Sequence, residues 1–152
     1  MDAITWPLLE RGFNAAGAMN IVATMACGRC FTGAALPAAW PGAFGTEGQA
    51  ALVLFGGCYI AAAPSLRPGR EKQPWTYAVL CAEKLFFASA WAFWARQQRP
   101  SLGCVLSRLL RKDALAALFL AGMGIADLSF AGVFATAAVK AFMEEEKKTK
   151  TA

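Results

Sequence analysis

The residues with most chemistry to offer are Glu83, Lys84 and Asp127, each set in an otherwise apolar stretch. Two carboxyls and an ammonium can pair, bind a small polar molecule or pass protons, provided they meet. In hydrocarbon they need partners, because an unpaired charge at the centre of a membrane helix costs about 2.5 to 3.5 kcal/mol. A second candidate is Cys27-Gly28-Arg29-Cys30. Two thiols at that spacing can cycle between dithiol and disulfide, and the charge of Arg29 favours the reactive thiolate. The chain has five cysteines, Cys27, Cys30, Cys58, Cys81 and Cys104, so intramolecular bonds leave at least one unpaired. An up-and-down path places Cys30 and Cys104 on one side and brings Cys58 toward Cys81 on the other. The competing role for all five is small apolar packing, and the Cys-x-x-Cys lacks the βαβ setting of a thioredoxin-like motif.

Several common chemistries are excluded by composition. The chain contains no histidine, so a Ser-His-Asp triad, a His-ligated haem and the usual zinc sites cannot be built. One pair of cysteines does not complete a four-ligand zinc site either. No catalytic residue, metal or cofactor is expected.

The elements that must position the three charges are apolar blocks. Of 152 residues 57% are apolar and 16% charged, against about 45 to 50% and 25% in a soluble domain. The apolar residues fall at 13–36, 43–63, 75–95 and 114–139, blocks of 24, 21, 21 and 26 residues. At about 1.5 Å per residue each reaches across a hydrocarbon core of roughly 30 Å. The reading is an all-α fold, a four-helix transmembrane bundle in up-down antiparallel order, occupying residues 1–152 as one domain with a charged tail at 140–152. Glu47 near the start of the second block leaves a re-entrant segment as its alternative. A soluble Ala-rich bundle is the competing fold, and helices that are apolar all round argue against it.

Punctuation supports the division. Pro37 and Pro41 flank the first connection, and Pro64, Pro68 and Pro74 interrupt the chain before the third block, where a continuing helix would lose a backbone bond. Trp6, Trp40, Trp75, Tyr77, Trp91 and Trp94 gather near the block ends, as expected of rings that prefer the headgroup level. In the third connection Leu102, Val105, Leu106, Leu109 and Leu110 recur at helical spacing among basic residues. That predicts a surface-lying amphipathic helix or an early start to the fourth span. The first residues lack the basic and short apolar regions of a cleavable signal.

Four spans put both ends on one side, with Arg11, Arg67, Arg70, Lys72, Lys140, Lys147, Lys148 and Lys150. The other side carries Arg29, Arg96, Arg99, Arg108, Arg111 and Lys112. Eight against six favours a cytoplasmic placement of both ends. The net charge of +5 suits anionic headgroups rather than nucleic acid, for which no aromatic-basic platform is present. Lys148 and Lys150 also fit a dilysine retrieval signal of the endoplasmic reticulum, or serve as a solubilising end.

Successive spans run antiparallel, so Lys84 in the third lies level with Asp127 in the fourth. Cys81, Lys84, Ala88, Ala92 and Ala95 share one stripe, and Ala117, Ala121, Gly124, Asp127, Ala131, Ala135 and Ala138 share another. Small side chains let helix backbones approach in lipid, which predicts a Lys84-Asp127 ion pair joining the two helices. Glu83 lies about 100° further round, in a bulkier stripe with Val79, Phe86, Phe87, Ala90 and Trp94. Facing lipid it is expected to be neutral. Facing a helix it can meet Asn14, Asn20 or Tyr59, with Asn20 the favoured partner for its small surroundings of Ala16, Gly17, Ala23 and Thr24.

Asn20, Phe55-Gly56-Gly57-Cys58-Tyr59, Glu83-Lys84-Leu85 and Ala126-Asp127-Leu128 resemble the pattern of a group of small, uncharacterised bacterial-type four-span membrane proteins. Those often carry a Gly-Lys pair in helix three and a Gly-Asp or similar pair in helix four, whereas Glu83 stands here before the lysine. The resemblance implies the four-span fold and the Lys-Asp pairing, and no activity.

The function expected from these readings is that of a non-catalytic accessory or scaffold subunit of a membrane complex. Its partners are membrane lipids and other transmembrane subunits, and Lys84, Asp127, Glu83, Asn20 and Tyr59 form an intramembrane polar cluster. The alternatives are a small-molecule or proton-handling protein using Glu83, Lys84 and Asp127, and a membrane thiol redox protein using Cys27 and Cys30.

Overall fold

The structure, a computed structural model, describes residues 5–31, 46–98 and 114–151. These form four α-helices, α1 (Trp6–Phe31), α2 (Thr46–Ala62), α3 (Pro74–Gln98) and α4 (Ala114–Thr151), with a 3-10 turn at Ala63–Leu66. No strand occurs among the described residues. The stretches Gly48–Leu66 and Gly122–Lys150 are long and apolar enough to cross a membrane. Helices α1 and α3 do not meet that test within the described residues. Their sequences include Glu10 with Arg11 and Glu83 with Lys84, which lower the local hydropathy.

The helix starts follow local chemistry. The Thr5 carbonyl accepts from the amides of Leu8 and Leu9, and Pro7 falls in the first turn, where its missing N–H costs nothing. Helix α1 therefore begins seven residues before the apolar block at Phe13. At the start of α3 the Tyr77 amide donates to the Gln73 carbonyl, and Pro74 occupies the first turn. Between α2 and α3, Arg67-Pro68-Gly69-Arg70 closes with the Arg70 amide on the Arg67 carbonyl at 3.3 Å. Gly69 has φ +73°. Pro then Gly at the central positions is the signature of a type II turn, which requires that positive φ. Helix α4 continues past the apolar block at Val139 through Glu144, Glu145 and Glu146 to Thr151, helped by a Lys150–Glu146 pair one turn apart.

The helices associate as two close pairs, α1 with α2 and α3 with α4; α1 also packs on α4, while α2 and α3 touch only sparsely. Across α1 and α2 the closest approach is backbone to backbone. A Cβ on Gly17 would lie 2.6 Å from the Gly56 carbonyl oxygen, and one on Gly56 would lie 2.9 Å from that of Gly17. The buried core includes Leu9, Phe13, Ala16, Tyr59, Ala63, Leu66, Tyr77, Leu80, Phe134, Ala137 and Ala141. Phe13 meets Phe134 and Tyr77 edge-on, at centroid distances of 4.4 and 5.5 Å, and Tyr59 lies 5.0 Å from Phe134. Tyr77 therefore belongs to the core and not to a ring of interfacial aromatics; its hydroxyl is satisfied at 2.6 Å by Ser65 Oγ. Trp40 and the surface helix expected near Leu102 to Leu110 lie outside the described residues.

Candidate functional site

Glu83 and Lys84 stand midway along α3, and their roughly 100° separation turns them to different neighbours. Lys84 enters the interior. Its ammonium donates to Asp127 Oδ1 of α4 at 2.8 Å and to Asn20 Oδ1 of α1 at 3.2 Å. Lys84 and Asp127 are 1% and 2% exposed, so the pair is shielded from any solvent around the molecule. A charge-assisted bond at this length in a low-dielectric interior is among the stronger ones a protein makes. The same ammonium lies 5.0 Å from the centroid of the Tyr59 ring, within cation-π range.

Asn20 spends both ends of its amide. Its oxygen faces Lys84, and its nitrogen donates to the Leu52 carbonyl of α2 at 3.4 Å. Glu83 turns toward α2 instead, where its Oε2 accepts a hydrogen bond from the Tyr59 hydroxyl. Its other oxygen, Oε1, is buried without a hydrogen-bond partner. All four helices thus contribute to one network, in which, among the described residues, Lys84 supplies the ammonium and Asp127 and Glu83 the carboxyls.

The five residues singled out from the sequence, Lys84, Asp127, Glu83, Asn20 and Tyr59, are brought together. One expected partnership is corrected. Asn20 does not bind Glu83; it is drawn to the Lys84 ammonium, the stronger donor, while Tyr59 serves Glu83. Asn14 is exposed and takes no part. Leu52 contributes through its backbone alone, so no side-chain signal marks it. Cys58 and Cys81 are free thiols and do not approach as a pair. Cys58 is exposed on α2, whereas Cys81 turns to α4 and donates to the Ala131 carbonyl at 3.4 Å. Cys104 and the side chains of Cys27 and Cys30 lie outside the described residues. No cluster with the donors for a metal ion occurs among the described residues.

A second polar group gathers at one end of the molecule, where α1 begins and the last turns of α4 pass. Trp6 Nε1 donates to Glu144 Oε1 at 2.8 Å, and the ammonium groups of Lys72 and Lys140 lie 4.8 and 5.4 Å from its ring. Lys72 also donates to the carbonyls of Ser65 and Arg67. Burial pulls the Lys72 ammonium below its ordinary range, opposed by Glu144 and reinforced by Lys148. Arg67 pairs with Glu10 at 2.8 Å.

Compared with known protein families, with curated proteins and with solved structures, the chain matches none. The likeness to small four-span membrane proteins therefore rests on the short motifs alone.

Proposed function

We propose that the chain is an integral membrane protein of four spans, an up-down antiparallel transmembrane bundle, and that it acts as a non-catalytic accessory or scaffold subunit. The observation that carries the membrane reading is an inverted radial order. Lys84 and Asp127 lie at the centre, while large apolar side chains one or two residues away, Phe86 at 68% exposure, Ile125 at 69% and Leu128, face outward, as do Val22 on α1 and Leu54 on α2. Water would leave those side chains uncompensated over all four helices, whereas lipid solvates them. Ser129 and Thr136 fit the same surroundings, because each hydroxyl donates to a carbonyl one turn back on its own helix.

The contacts support the up-down order. From Trp6 to Asn20 along α1, the partners on α4 run back from Glu144 through Phe134 toward the Lys84–Asp127 pair. Along α3 from Trp75 to Cys81 and Lys84, they run from Phe142 to Ala131 and Asp127. Within this frame the Lys84–Asp127–Asn20 set serves as a clamp that fixes helix pairing, a role buried polar groups take in other bundles. With the buried charges paired inside the bundle, the outward apolar faces are the surface available to partner helices.

The test is extraction from native membranes. The chain is expected to stay in the membrane through an alkaline carbonate wash, to enter mild detergent as a helical species, and to co-purify with specific transmembrane proteins. Recovery as a stable monomer in detergent-free buffer would refute the membrane reading. Purification alone with lipid would refute the subunit role.

A further inference from the structure

Among the described residues the network holds two carboxyls, Asp127 and Glu83, and one ammonium, Lys84. Lys84 neutralises Asp127, against which its ammonium rests. The groups facing Glu83 are Lys84 on its own helix, Asp127 on α4 and the Tyr59 hydroxyl on α2. Helix α1 brings only the neutral amide of Asn20 to this network. If both carboxyls were ionised, the interior would carry a net negative charge in hydrocarbon, whose cost a neutral interior avoids. Protonating Asp127 would give up the 2.8 Å charge-assisted bond to Lys84. Glu83 can take the proton instead, because its Oε2 already accepts the Tyr59 hydrogen and its Oε1 has no competing donor.

We propose that Glu83 is a reversible proton-binding site within the membrane, neutral while the Lys84–Asp127 pair is intact. This goes beyond the scaffold role and rests only on the membrane placement. The position suits exchange. Glu83 is half-buried, and it stands at the seam between α2 and α3, which is far sparser than the α1–α2 and α3–α4 contacts. Its neighbours Val79 and Phe86 in the same stripe are exposed, so a small apolar molecule in the lipid can reach this seam, and a parting of α2 from α3 opens the buried carboxyl to it.

A hydrophobic carbodiimide such as dicyclohexylcarbodiimide tests the site. The neutral acid adds across one C=N bond: a carboxyl oxygen bonds to the central carbon and the acid proton passes to nitrogen. The acyl group then shifts from oxygen to nitrogen, giving a stable N-acylurea that keeps every atom of both reactants. In the full-length protein reconstituted in vesicles, mass spectrometry should find the reagent on Glu83 at neutral pH, with labelling that falls as pH rises. In Asp127→Asn the unpaired Lys84 charge favours ionised Glu83, and labelling should drop about tenfold or more, the effect of a one-unit change in proton affinity. In Lys84→Gln both acids become neutral, and label should appear on Asp127 as well. If either single variant fails to accumulate, the double variant keeps an uncharged pair and should label Glu83 as the parent does. Unlabelled Glu83 in the parent protein, or undiminished labelling in Asp127→Asn, would overturn the proposal. Release of the chain by carbonate would instead overturn the membrane placement.

Discussion

The two polar groups of this molecule use the same side-chain types to opposite effect. At the end, Arg67 and Glu10 pair at 2.8 Å with the arginine 60% exposed. Midway along the helices, Lys84 and Asp127 pair at the same 2.8 Å with almost no exposure. Identical distance therefore does not mean identical energy. Water screens the first pair and would solvate either partner left alone, so pairs of this kind contribute about 0 to 1 kcal/mol. Nothing replaces the second pair's partners, and a buried charge deprived of its counter-ion costs about 3 to 5 kcal/mol. The end cluster can adjust to its surroundings, whereas the middle cluster fixes which helix faces which.

The largest expected effect breaks that contrast from the inside. Lys84→Ala orphans Asp127 and should destabilise the protein by about 3 to 5 kcal/mol, read as a loss of folded material and of thermal midpoint in detergent. Adding Asp127→Ala should recover part of the loss, since it removes the orphan; a double variant as poor as the worse single one would argue that packing, and not charge, dominates. Next comes the glycine contact that sets how close α1 and α2 lie. Gly56→Ala should cost about 1 to 3 kcal/mol, because its new methyl meets the Gly17 carbonyl. Gly57→Ala, with open space around it, should stay within about 0.5 kcal/mol. Equal midpoints for the two would remove the close crossing from the account. Tyr59→Phe deletes only the hydroxyl that serves Glu83, and a stability change of about 1 to 2 kcal/mol is expected from equilibrium unfolding. The smallest effect is at the end cluster, where Arg67→Ala should change stability by less than about 1 kcal/mol and less still at high salt.

Why some of this was legible in the sequence, and some not, follows from the same physics. The Lys84–Asp127 pair could be read because adjacent antiparallel helices put mid-lying residues level and both residues sat in stripes of small side chains. Tyr59 as the donor to Glu83 was harder to see. Helix α2 is apolar on every side, so its sequence does not fix which face turns to α3. The fourth block ended at Val139 because hydropathy falls there, yet α4 continues because Lys150 and Glu146 support the helix irrespective of burial. Hydropathy also scores Glu83 and Lys84 as though each faced hydrocarbon alone. It cannot register that Lys84 is answered by a residue on another helix, which is why α3 reads as less apolar than the environment its outer face implies.

The division into two close helix pairs bears on how the protein is made. The later pair, α3 with α4, carries its ammonium and the matching carboxylate within itself, whereas α1 and α2 bring to the junction only an uncharged amide and a phenol. In the membrane placement proposed above, each half would settle into the bilayer without waiting for the other to cancel the Lys84 charge. Joining the halves then needs only hydrogen-bond exchange and aromatic packing, and the short Pro-Gly connection keeps the two within reach while they find it.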